Sequence, residues 1–168
     1  MAKNNSCYKC GNIATTREHI PPLCIFPEFK DVGADYRKKL ITVPSCDEHN
    51  LRKSKDDEFL MTLITGYIKN NSIGYIQTKS KVKRALDRKF PGFMNTILND
   101  VSELNIKIPN GKVFPILMGM PDLNRLEKCI EQISCGLYFH EYNKQFKGEI
   151  RMIFDFMKYE DVNINNLK

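Results

Sequence analysis

Apolar residues recur along this chain in two periods. From Phe59 to Tyr67 the spacing is helical, with Phe59, Leu60, Leu63, Ile64 and Tyr67 on one face. It predicts a helix from about Asp56. Asp56, Asp57 and Glu58 would sit at its start, where the helix dipole favours negative charge. Leu123, Leu126, Ile130, Ile133 and Leu137 form a second stripe and predict a helix over 122–137. Weaker helical patterns cover 80–89 and 93–101. Shorter apolar runs predict strands at 39–43, at 106–108 and 113–118, and at 149–156. Pro44 is expected to end the first of these. Pro109-Asn-Gly-Lys112 would join the next two as a hairpin. Ser45 would cap a short turn that gathers Cys46, His49 and Asn50. The segment 162–168 is polar, Asn-rich and expected to fray.

These elements divide the chain without a low-complexity linker or an internal repeat. Residues 1–60 hold most of the cysteine and histidine; residues 61–168 form a mixed, mainly helical lobe. The expected class is α+β, with the N-terminal module packed against that lobe. A chain of 168 residues is long enough for a real core. No run approaches the roughly 20 apolar residues of a membrane helix. MAKNNSCYKC has no apolar stretch of a signal peptide, so a cytoplasmic protein with no membrane partner is expected. In a reducing compartment six cysteines point to metal or redox chemistry rather than three disulfides. The net charge of +6 favours a polyanionic partner. Its densest basic run, 79–89, is either a solvated helix face or a phosphate-contacting surface.

Cys7-x-x-Cys10 and Cys46-x-x-His49 are two half-sites, each able to aim two side chains at one ion. Zinc takes four such ligands in a tetrahedron, and a closed Cys3His set leaves no position for substrate. A structural Zn2+ is therefore expected, clipping the base of the excursion between the half-sites. Three other readings compete. Cys7 and Cys10 could be a redox pair, the cysteines could be core residues, or Cys24 could ligate in place of His49.

Within the excursion, Glu18-His19 is followed by Ile20-Pro21-Pro22, and Asn50, Lys53 and Ser54 follow the second half-site. Neighbouring residues on a strand face opposite ways, so one of Glu18 and His19 could meet a metal while the other meets water. Asn50 could offer a neutral oxygen to a hard cation. Together with Leu40-Ile-Thr-Val-Pro44, this succession over about residues 5–60 resembles the HNH endonucleases. Those have a ββα-metal fold, and many carry a buttressing zinc held by paired Cys-x-x-Cys motifs.

The resemblance implies that His19 is the general base and that Glu18 and Asn50 hold a catalytic Mg2+ or Mn2+. It implies that Cys7, Cys10, Cys46 and His49 hold the zinc, with His49 where a cysteine is commoner. Aspartate is commoner than Glu18, and the family's middle Asn has no clear counterpart here. The implied activity is hydrolysis of phosphodiester bonds in DNA, with RNA not excluded, leaving 5′-phosphate ends. Arg17, Arg52, Lys53 and Lys55 could hold flanking phosphates. By analogy alone, such nucleases belong to phage-defence or mobile-element systems, and a homodimer or a regulatory subunit would be the protein partner. The rival expectation is a zinc-stabilised nucleic-acid-binding or adaptor module without catalysis. Cys129 and Cys135 are expected in the core.

Overall fold

A computed structural model describes residues 5–67, 70–89, 92–107 and 110–154. Strand β1 (Thr16–His19) pairs antiparallel with β2 (Thr42–Ser45), so that Arg17 faces Pro44 and His19 faces Thr42. The second strand thus begins later than its apolar run suggests and runs through Pro44 instead of ending there. A proline is tolerated on a strand paired on one side only. Its carbonyl accepts the backbone N–H of Tyr8 at 2.9 Å. Between the strands lie a 3-10 turn at Leu23–Ile25 and the four-residue helix α1 (Phe29–Val32), which ends at Gly33 with φ 70°.

Helix α2 (Asp47–Asn50) starts directly after β2, with Cys46 in the N-cap position. Ser45 does not cap it; its side chain is fully buried beneath the hairpin. After a tight turn at Leu51–Lys53 comes α3 (Ser54–Thr65), which buries Phe59, Leu60, Met61, Thr62 and Thr65. Asp56 and Asp57 lie in its first turn, as the dipole favours. The next helical run is longer than 80–89. It comprises α4 (Ser72–Gln77), a π turn at Thr78–Val82, and α5 (Lys83–Lys89). Asn71 caps it, accepting from the Gly74 N–H at 2.9 Å.

The helix expected at 93–101 stops at Asn95, and from Leu98 the segment is strand. After the short α6 (Gly92–Asn95), β3 (Leu98–Lys107) pairs antiparallel with β4 (Val113–Pro121). The two strands pair as a hairpin and are longer than their apolar runs, while residues 108 and 109 of the expected strand and turn lie outside the described residues. A short apolar run fits helix and strand alike, and here pairing with β4 decides. Helix α7 (Leu123–Tyr142) is capped by Asp122, which accepts from the Arg125 N–H at 3.0 Å, and ends at Asn143 with φ 51°. It runs on past residue 137. No strand forms over 149–154, and the rest of that run and the segment 162–168 lie outside the described residues.

Two apolar clusters form the core. One joins Cys7, Tyr8, Ile20, Val43 and Cys46 to Cys135 and Phe139; the other joins Phe59, Leu60, Ala85 and Ile97 to Leu126 and Cys129. Helix α7 supplies both, its first half to the second cluster and its second half to the first. Gly136 lets it approach β1: a Cβ there would lie 2.6 Å from Ile20 Cγ1. Arg125 reinforces the α3 side, donating to Asp56 at 2.7 Å and to the Lys55 and Thr96 carbonyls. The class is α+β. No described helix is long and apolar enough to cross a membrane.

Candidate functional site

The first half-site is a turn. The Cys7 N–H donates to the Asn12 carbonyl at 2.7 Å, and the Gly11 N–H to the Cys7 carbonyl at 3.0 Å. Gly11 takes φ 80°, a left-handed conformation that glycine adopts without strain. The second half-site is the first turn of α2, where the His49 N–H donates to the Cys46 carbonyl. β2 carries Cys46 to the knuckle, and the four ligand atoms of Cys7, Cys10, Cys46 and His49 lie within 4.8 Å of one another.

The donor set suits a metal such as zinc. A tetrahedron with Zn–S bonds of about 2.3 Å has edges of about 3.8 Å. The Cys10–Cys46 sulfurs are 3.7 Å apart, and Cys7 Sγ to His49 Nδ1 is 3.8 Å. Cys46 Sγ to His49 Nδ1 is tighter, at 3.2 Å. Burial pushes the Cys7 thiol up, but backbone N–H groups of Cys10, Lys9 and Cys46 outweigh it and hold it below the ordinary thiol value. Desolvation, with the Cys46 and Cys7 sulfurs alongside, pushes Cys10 up to about 11. A coordinated cation would deprotonate such thiols outright. Cys24 is not in the cluster; its sulfur donates to the Asp57 carbonyl at 3.2 Å.

β1 alternates as its geometry requires. Arg17 and His19 share the outer face, while Thr16 and Glu18 turn toward the helices. Arg17 is exposed and bonds Thr42 through Nε to Oγ1 at 3.0 Å and through Nη2 to the carbonyl at 2.7 Å. The half-buried His19 ring makes no hydrogen bond among the described residues. Asn50 reaches β1 from α2, its Nδ2 donating to Thr16 Oγ1 at 2.9 Å and to the Arg17 carbonyl at 3.3 Å. It pins the strand to the helix.

Glu18 is only 3% exposed. One carboxylate oxygen is ion-paired with Lys53, and Ser45 Oγ donates to the other at 3.4 Å. Lys53 Nζ also lies 3.3 Å from Asp57. Burial alone would lower the Lys53 pKa, but Glu18 and Asp57 raise it, so the ammonium stays charged. As placed, Glu18 and Asn50 do not form a divalent-cation site. The carboxylate is enclosed and neutralised by an ammonium, and the amide is spent on β1.

Lys53, expected to hold a phosphate at the surface, is instead 5% exposed, because two acidic groups draw it inward. Lys55 is exposed, and the Arg52 side chain lies outside the described residues. Sequence reasoning missed Lys53 as the counter-ion of Glu18. The signal for half of it was present, since Lys53 and Asp57 stand at the i,i+4 spacing of helical ion pairs. No family profile, curated protein or solved structure matches the chain.

Proposed function

We propose that the N-terminal region is a zinc-buttressed ββα-metal module of the HNH type and that the chain hydrolyses phosphodiester bonds in DNA. The observation that carries this reading is the order and packing of the parts. A strand bearing Glu18-His19 pairs with a strand that leads straight into a helix, the helix reaches back through Asn50 to the first strand, and a Cys3His cluster joins them. His19 is the proton acceptor. A histidine side chain accepts a proton near neutral pH, and this ring is half-buried with no competing partner among the described residues. Arg17, on the same face of β1, and Lys55, on α3, are exposed and supply positive charge for flanking phosphates. A bound Mg2+ or Mn2+ would supply charge relief at the phosphate. Glu18 becomes available to such an ion only when Lys53 withdraws from it.

The buried Glu18–Lys53 pair favours a second reading, a zinc-stabilised nucleic-acid-binding or adaptor module whose acidic position serves the fold alone. A plasmid-nicking assay in Mg2+ or Mn2+, with wild type and His19→Ala at matched zinc content, separates the two. The nuclease reading expects nicking by wild type and a loss of about a hundredfold or more in the variant. Equal nicking by both would sink His19 as the base. A salt-sensitive gel shift without nicking by either would leave the binding module.

A further inference from the structure

The β3–β4 ribbon stands as a two-stranded sheet, and among the described residues no third strand lies beside it. Such ribbons are marginally stable in water unless further strands or a helix join them. Its two outer edges differ. Asn105 is opposite Pro115, which has no N–H to give. In an antiparallel ladder that makes this pair a non-hydrogen-bonded one, with both residues turning their backbone groups outward. By the same alternation the outward positions of β4 are 113, 115, 117, 119 and 121. Prolines fill the second and last of these, so this edge is blunted against pairing.

The edge of β3 has no such block. Its outward positions over the regular stretch are Glu103, Asn105 and Lys107, each with an N–H and a carbonyl, and all three residues are exposed. Their charges are arranged about a centre. If two copies of this edge meet antiparallel with Asn105 opposite Asn105, Glu103 faces Lys107 of the partner subunit and Lys107 faces Glu103 of the partner subunit. On the other face, Leu104 stands opposite position 106 of the partner subunit. Opposite charges and apolar residues placed across strands stabilise a sheet, and like charges so placed destabilise it. Leu104 is 44% exposed, and Met118 and Met120, farther along the same face on β4, are 45% and 61% exposed. That is an apolar face of the kind that marks an interaction site. The ribbon's described charges balance, Asp100 and Glu103 against Lys107 and Lys112, so its chemistry suits a protein strand better than a phosphate backbone.

We propose that the outer edge of β3 pairs with the same edge of a second copy of this chain, centred on Asn105, to make a four-stranded sheet across a two-fold axis. The interface is self-complementary, as a two-fold contact must be. The inference does not rest on the nuclease reading.

Sedimentation of the zinc-loaded full chain over a wide concentration range tests it. The wild type is expected to dimerise. Asn105→Pro, at an outward-facing position that costs the isolated ribbon no ladder bond, should shift the protein to monomer with an unchanged circular dichroism spectrum. Glu103→Lys and Lys107→Glu should each weaken the homodimer by about tenfold or more, since each puts like charges opposite one another at both ends. Mixing these two variants should restore a dimer, because each then presents the charge the other lacks. A wild type that stays monomeric throughout would overturn the proposal, whether its ribbon binds nucleic acid or is covered by its own chain. So would a dimer indifferent to Asn105→Pro, or charge variants that fail to recover on mixing.

Discussion

Lys53 has two carboxylates within ion-pair reach and almost no contact with solvent. Breaking such a buried arrangement leaves a charge with nothing to balance it, which costs about 3–5 kcal/mol. Lys53→Met should therefore destabilise the protein by that much in urea unfolding. Adding Glu18→Gln should recover much of the loss, because the stranded charge is removed with its partner. An additive double variant would refute the coupling. At the metal cluster, His49→Cys should keep about one zinc per chain by elemental analysis, whereas His49→Ala or Cys46→Ser should lose the ion and unfold the N-terminal core. The cluster was legible in the sequence because metal geometry demands close pairs, and Cys7-x-x-Cys10 and Cys46-x-x-His49 supply them. The fate of Glu18 was not. A strand pattern says that residues 18 and 19 face opposite ways, but not which face is interior. That depends on α3 and the turn before it, which bring Asp57 and Lys53 to the Glu18 side.

Between elements, close approach and charge do separate work. Gly136 lets α7 lie against the fully buried Ile20. Gly136→Ala should cost about 1–3 kcal/mol in the same unfolding assay, since Ile20 has no space to move into. Asp31 on α1 accepts both Nη atoms of Arg84 on α5, each at 2.9 Å. The guanidinium holds the Asp31 carboxyl below its ordinary value of 3.8. A carboxylate favoured in the folded state adds stability above its unfolded pKa and loses it as pH falls. Acid unfolding below about pH 4 should therefore be less steep in Arg84→Gln than in wild type. Elements with long stripes, such as α3 and α7, could be read from spacing alone. The start of β3 could not, because its few apolar residues satisfy either period and only β4, from Val113 onward, selects the strand. The extended chain over 149–154 misled in the opposite way. Its Ile150 and Phe154 pack on the two clusters as single anchors, without a neighbouring strand.

At the scale of the whole molecule, α7 is the part both clusters share. Lys9 beside the first half-site is ion-paired with Glu131, and Gln145 just beyond the helix donates to the Cys7 carbonyl at 3.0 Å. Stripping the metal should therefore loosen more than the knuckle. In hydrogen exchange, amides in the second half of α7 should lose protection on chelation, while those of α3 change less. Equal loss in both would mean that the two clusters unfold as one unit.

The same closure has a temporal side. The contact between Cys7 and Gln145 spans 138 residues. During synthesis the metal knuckle emerges long before the helix that seals it, leaving Tyr8, Ile20 and Val43 without Phe139 against them. Contacts so far apart in sequence slow folding and prolong the exposure of apolar surface. An early grip on the ion would hold β1 and β2 in register while the remainder of the chain is made.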